Sequence, residues 1–391
     1  MSVIKFSICK DPNEEIQPYE MAILPFIDQS QGQCEVRFQS IPWENHNQDI
    51  KDIALERKNI DISQVPSTTV NELIAMDALR PFTEKEIVTF GGISAFPPVA
   101  WNFLGDKKEI YAIPWIIDTR ALIYRRDMLE QAGIDEMTAF TSFDNMENTF
   151  ERLQEKGFET PWAIGTGSKY TAFQTACTWI WGLGGEVGNR DKLLIDRPEA
   201  IEALVRYFKL YRFMPQQGQN PNMHELWDLF KEHKVVTIMT NISIRSLSRT
   251  AGTGSNTGAA FAPGPTYVGG SSLVIWRHSR QPEEAVELIR HLTMSSAQLQ
   301  FALQTGCMPA RSKVLTDIHF TETPKLRVFL DSILLGRTYA DLPSCGLVEE
   351  LLCAAIANVW AKIIANPRID IKSTLLAEIE PVVLRVNSLK K

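Results

Sequence analysis

The chain lacks most of the features that commit a sequence to chemistry. Its six cysteines, at positions 9, 34, 177, 307, 345 and 353 of 391, include no Cys-x-x-Cys pair and no histidine spacing of the kind zinc sites use. No metal is therefore expected, and the cysteines read as buried free thiols, because a chain of this length can build cores without covalent staples. Gly-x-Ser-x-Gly, a cysteine–histidine signature and Gly-Lys-Ser/Thr are all absent, which removes the nucleophile elbow and the phosphate loop. Residues 252–258, Gly-Thr-Gly-Ser-Asn-Thr-Gly, fit neither the dinucleotide fingerprint nor the P-loop and read as a surface loop. No cofactor and no catalytic residue is expected.

An excess of positive charge is missing as well. Lys and Arg number 40 against 47 Asp and Glu, a formal net charge of −7, so nucleic acid and anionic membrane surfaces are not expected partners. No run of apolar residues approaches the roughly 18 that a membrane span requires. The first nine residues form a strand-like burst followed by Asp11, Glu14 and Glu15, unlike a secretory leader. Export would require a leader removed beforehand, and the cytosol is the alternative.

What is present is ordinary globular composition, 44% hydrophobic and 22% charged, with length enough for two domains. Short apolar runs alternate with helical patterns in the first hundred residues, which points to an α/β lobe. Residues 34–43 alternate like a strand that delivers Trp43 at its end. Residues 60–66 read similarly, with Ser67, Thr68 and Thr69 just past them, either as ligand contacts at a strand's carboxyl end or as the cap of a helix over 70–75. A helix over 141–156 stops at Gly157, another covers 198–213, and 235–239 is a short buried strand followed by Asn241 and Ser243. Two helices, 348–365 and 370–389, close the chain, the second capped by Asp370 and kinked at Pro381. Trp179 and Trp181, two apart, belong to a strand or an irregular helix end, with one of them facing a ligand.

Residues 262–276 run from a Pro-Gly-Pro turn through Gly269-Gly270 into an apolar strand. Pro282 then starts a helix whose Val286, Ile289 and Leu292 recur at helical spacing, and residues 306–311, Gly-Cys-Met-Pro-Ala-Arg, close the segment. With residues 111–133, a Pro-containing strand followed by a helix ending Ala-Gly, with residues 141–144, Thr-Ser-Phe-Asp, and with the C-terminal helix pair, this order resembles the extracellular solute-binding proteins of family 1, the sugar receptors of ABC importers. The resemblance spans most of residues 40–391.

The resemblance implies an α/β, two-lobed periplasmic-binding-protein type II fold, each lobe a mixed sheet flanked by helices with the ligand cleft at the hinge. One lobe would comprise 1–117 plus 273–316 and the other 118–272 plus 317–391, with the C-terminal helices near the hinge. Crossings are implied near 117–120, near 271–274 and past 311. It further implies a monomer that delivers a carbohydrate to permease subunits from the periplasm or cell exterior. Sugars present apolar faces and fences of hydroxyls, which aromatic platforms and planar polar groups recognise. The candidate ligand-binding residues are therefore Trp43, Ser67, Trp115, Asp118, Trp181, Asn241, Gly270, Ser271 and Arg311, with Glu44, Asp61 and Glu186 behind them. Asp118 reads equally as a ligand carboxylate or as the ion-pair partner of Arg120, and Arg311 as a ligand donor or an interlobe bridge. Two other readings stay open: a cytoplasmic carbohydrate sensor with the same fold, and a glycoside-acting enzyme using Asp118 and Glu186.

Overall fold

The computed structural model describes residues 1–10, 14–43, 45–104, 109–215, 220–241, 256–340, 342 and 344–388. Among the described residues, ten strands divide between two sheets. The first contains β1 (Ser2–Cys9), β2 (Cys34–Ile41), β3 (Ile62–Pro66), β4 (Ala112–Asp118), β9 (Gly269–Ile275) and β10 (Met308–Pro309), in the order β10-β4-β9-β3-β1-β2. The second contains β5 (Arg120–Arg125), β6 (Trp162–Ile164), β7 (Thr237–Asn241) and β8 (Thr257–Ala260), in the order β6-β7-β5-β8.

Local chemistry explains why these segments fold as they do. Five consecutive buried residues in β3 mark a strand covered on both faces, as expected where helices pack against each side of a sheet. The helix Phe143–Glu155 buries Phe143, Met146, Phe150 and Leu153 along one stripe, and the Ser142 side chain accepts a hydrogen bond from Asn145 N, satisfying a first-turn donor. Gly157, at φ +90°, stops it. Asp370 caps the last helix, Ile371–Ser388, its Oδ1 accepting from Lys372 N at 3.2 Å.

Three apolar cores result. One lies between the first sheet and its helices and includes Ile62, Leu273 and Trp276. A second unites the helices Lys169–Gly182, Pro198–Lys209, Cys345–Ala365 and Ile371–Ser388, with Trp162, Trp179, Tyr207 and Trp360 fully buried among them. The third packs Phe329, Leu330 and Ile333 of the helix Pro324–Leu335 beneath β5 and β7. All six cysteines are free, and among the described residues no helix is long and apolar enough to cross a membrane.

One boundary and one element type differ from the sequence expectation. β9 belongs to the first sheet from Gly269 onward, pairing with β3 and β4 along its whole length, so a division between 272 and 273 cuts a continuous strand. The passage between sheets instead falls between Ala260 and Gly269. Trp179 and Trp181 sit within one regular helix, Lys169–Gly182, which runs unbroken to its terminal glycine.

Candidate functional site

Strand directions place the site. β3 and β4 run parallel, because each is antiparallel to β9. The first sheet therefore ends at one edge with Pro66, Asp118 and the start of β9 at Gly269. The second sheet begins at Arg120, which pairs with Asn241 at the end of β7, and parallel β6 ends beside it at Ile164. Thr119 alone separates β4 from β5, its hydroxyl 3.1 Å from that of Thr266 in the return segment, both buried. The facing edges are the carboxyl ends of the parallel strands, where open α/β sheets hold ligands.

A polar cluster fills this seam. Arg120 Nη1 donates to Asp118 Oδ2 at 2.6 Å; the arginine side chain is 4% exposed and the carboxylate 25%. Nη2 donates to Gln174 Oε1, and the guanidinium lies 5.8 Å from the centre of the Tyr267 ring. Tyr267 stacks on Tyr339 at 4.8 Å. The Tyr339 hydroxyl donates to Glu349 Oε1 at 2.5 Å, Gln174 Nε2 to the same oxygen at 3.4 Å, and the Thr68 hydroxyl to Oε2 at 2.7 Å. Burial raises the Glu349 pKa above the ordinary carboxylate value, against the lowering effect of the donors. Arg120 Nε is buried without a partner.

Beside the cluster, Asn47 Nδ2 donates to the Tyr170 hydroxyl at 3.1 Å, and His46 packs on the Tyr170 ring at 5.0 Å. Arg337 grips Glu186 through both oxygens at 3.1 and 2.8 Å and lies 5.2 Å from the centre of the Trp181 ring. Planar donors, acceptors and aromatic edges thus converge on one seam, the inventory needed to orient a neutral polyhydroxyl ligand.

The structure brings some of the sequence-read residues here and turns others away. Asp118, Asn241 and Gly270 lie on the facing edges, Ser67 N and Oγ donate to the Gly270 carbonyl at 3.0 and 3.3 Å, and partly buried Trp43 flanks His46 at 5.7 Å. Trp181 lies under Arg337. Trp115 is a correction. β4 is buried on both faces, and the Trp115 indole lies in the first core with Ile113, 2% exposed and stacked 4.9 Å from Phe301.

Ser271 is likewise enclosed, its hydroxyl accepting from Gln64 at 2.9 Å. Arg311 is occupied within the first sheet's half, where Nη1 donates to the carbonyls of Phe90 and Thr293 at 2.9 and 2.8 Å. Asp61 precedes β3 at the opposite edge, receiving Lys5 N and the Ser279 hydroxyl. Glu44 and Ser243 lie outside the described residues.

Sequence reasoning missed Gln174, Tyr339 and Glu349. Glu349 carried a legible signal: it is an acid on the buried face that Cys345, Val348, Leu352 and Ile356 share. Among the described residues no cluster of three His, Cys, Asp or Glu could hold a metal. A surface hollow of about 480 Å³ lies elsewhere, on the outer face of the second core, lined by Arg206 and Lys372 among others. There Arg206 is already paired with Asp144 and Glu147.

Residues 25–328 match the bacterial extracellular solute-binding proteins, and the chain belongs to that family. A binding protein of Brucella abortus is 20% identical over 359 residues, covering 88% of this chain and 85% of the relative. A Deinococcus radiodurans protein named a probable ABC transporter-binding protein is 24% identical over 243 residues, 57% of this chain and 56% of its own. Among solved structures, maltose-bound MalE3 of T. maritima superposes with a TM-score of 0.83 at 20% identity, covering 99% of this chain and 100% of its own. A solute-binding protein of Thermotoga lettingae bound with α-D-tagatose gives 0.83 at 17% identity, covering 98% and 99%. The fold is that of the two-lobed MalE-like periplasmic binding proteins.

Proposed function

We propose that this protein is the receptor of an ABC importer and captures a sugar between its two sheets, delivering it unmodified to permease subunits outside the cytoplasmic membrane. The observation that carries this reading is the convergence of Asp118, Arg120, Gln174 and Glu349 where the two facing edges meet. Residues up to Asp118 with 269–311 form one lobe, and 120–268 with 312–388 the other. Thr119 and the two return passages are the hinge. The maltose and tagatose named for two structural neighbours make those sugars the first probes. Asp118 and Glu186 are each oriented by an arginine, an arrangement that leaves carboxylate lone pairs free to accept from ligand hydroxyls.

Titration calorimetry and melting against maltose, D-tagatose and a panel of mono- to tetrasaccharides test the reading, with small-angle scattering on each complex. A bound sugar should raise the melting temperature, by about 2.7 kcal/mol of stabilisation at a hundredfold excess over Kd, shrink the radius of gyration, and be recovered chemically intact. Failure of the whole panel to bind would remove sugars as the ligand class. Binding without a change in scattering would remove the hinge.

A further inference from the structure

Glu349 stands out within the seam because the hydrogen bonds to it come from both halves of the molecule. It lies 2% exposed near the start of the helix Cys345–Ala365, which packs chiefly on the helices Lys169–Gly182 and Ile371–Ser388 of the second half. Two of its donors, Gln174 and Tyr339, belong with those helices. The third, Thr68, belongs to the loop after β3 in the first half. One turn earlier, Gly346 brings the same helix so near the helix Val70–Ala75 that a Cβ there would sit 2.5 Å from Glu72 Oε2. Parting of the halves must therefore break the Thr68 bond and admit water to a carboxyl that is otherwise sealed.

We propose, resting on the clamp reading above, that Glu349 is a proton-sensitive latch: closing the lobes seals its carboxyl from water and takes up one proton from solvent, and opening releases that proton. The three hydrogen-bond donors are neutral, so no partner charge offsets the loss of hydration within hydrogen-bonding distance. Arg120 favours the ionised form from further away, but burial outweighs it. The other acids facing Glu349, namely Tyr170, Tyr267, Tyr339, Cys177 and Cys353, are pushed up by burial and stay neutral. The other charged groups around it are Lys169, Asp118 and Arg337, its neighbour Glu350, and Glu72, which lies against Gly346 and pairs with Lys51.

His46, across the seam against Tyr170, works in the opposite sense, since burial lowers its pKa and acid opposes its enclosure. With the closed-state pKa of Glu349 raised, closure is fully favoured below the hydrated carboxyl's pKa. The preference is lost as pH rises through the closed-state value. One proton limits the change to about tenfold in the closed-to-open ratio per pH unit.

Small-angle scattering of the ligand-free protein from about pH 4 to about pH 8 reads the latch directly. The wild type should widen as pH rises, and Glu349→Gln should remove that step, while His46→Gln should keep it. Thr68→Val, which retains the carboxyl, should be more open at every pH yet keep the step. A wild-type radius independent of pH, or an unchanged step in Glu349→Gln, would overturn the proposal. If Glu349→Gln does not fold, calorimetry of the wild type with maltose across the same pH range, in two buffers of different ionisation heat, decides: proton uptake is required between the hydrated carboxyl's pKa and the closed-state value, and no uptake at any pH refutes it. Should no sugar bind, the sugar reading fails while ligand-free scattering of the wild type and Thr68→Val still judges the latch.

Discussion

Substituting alanine for Gly270 tests whether the hinge end of the first sheet is as rigid as its geometry demands. Gly270 has φ +132°, and an ideal Cβ there would lie 2.0 Å from the Ile116 carbonyl oxygen. Two costs add. Holding a non-glycine residue at that φ costs roughly 1–3 kcal/mol, and forcing a methyl group against a backbone atom costs roughly 1–3 kcal/mol more. Ile116 cannot retreat easily, because it is held between Ser271 of β9 and Pro309 of β10.

The control is Gly32→Ala, where φ is +77° and nothing lies within 4 Å of the added carbon. It carries a backbone cost alone, about 1–2 kcal/mol. At about 2–4 °C per kcal/mol for domains of this size, Gly270→Ala should melt roughly 5–20 °C below wild type and clearly below Gly32→Ala. Urea unfolding monitored by far-ultraviolet circular dichroism gives the same comparison as a midpoint shift. If the two variants unfold together, the approach of β9 to β4 is soft, and the sheet edge cannot serve as a fixed jaw.

Two further outcomes separate core from site. Trp115→Ala should lower stability by about 3–5 kcal/mol through the cavity left against Phe301, Phe6 and Tyr19, while the folded fraction keeps its sugar affinity. A tenfold loss of affinity in calorimetry without loss of stability would return the indole to the site. His46 is held below its ordinary pKa chiefly by burial, so the unfolded state binds protons more readily than the folded one. Stability should therefore fall as pH drops below about 6.5 and level off below the folded value. His46→Gln should flatten that part of the profile, and an identical slope in the variant would refute the assignment.

Much of the fold was legible because it rests on local signals. The helix over 141–156 was marked by a carboxylate in its first turn, a lysine in its last and Gly157 beyond, to which the structure adds the Ser142 cap and an apolar stripe, and β9 was marked by its glycine pair and apolar run. β7 was displaced by two residues, from 235–239 to Thr237–Asn241, since Val235 and Val236 are as apolar as the strand itself. The helices Met223–Lys231, Ser295–Thr305 and Pro324–Leu335 went unread, although the first carries a capping box from Asn222 to Glu225.

The site was harder to read, for a physical reason that its residues make plain. Asp118 and Arg120 are two apart in sequence, and their pairing was foreseen as one of two alternatives. Glu349 meets Thr68 across 281 positions and Gln174 across 175, and no local periodicity encodes contacts of that span. Trp115 failed in the other direction. Its place beside the inter-sheet crossing suggested a ligand contact, but Trp115 shares the first core with Ile113 and packs on Phe301. A strand-end rule therefore points to the seam while leaving open which side chains fill it. A buried acid on an otherwise apolar helical face was the remaining clue. Its position at the junction of two halves makes it informative, because a carboxyl sealed only when the lobes meet ties its ionisation to their separation.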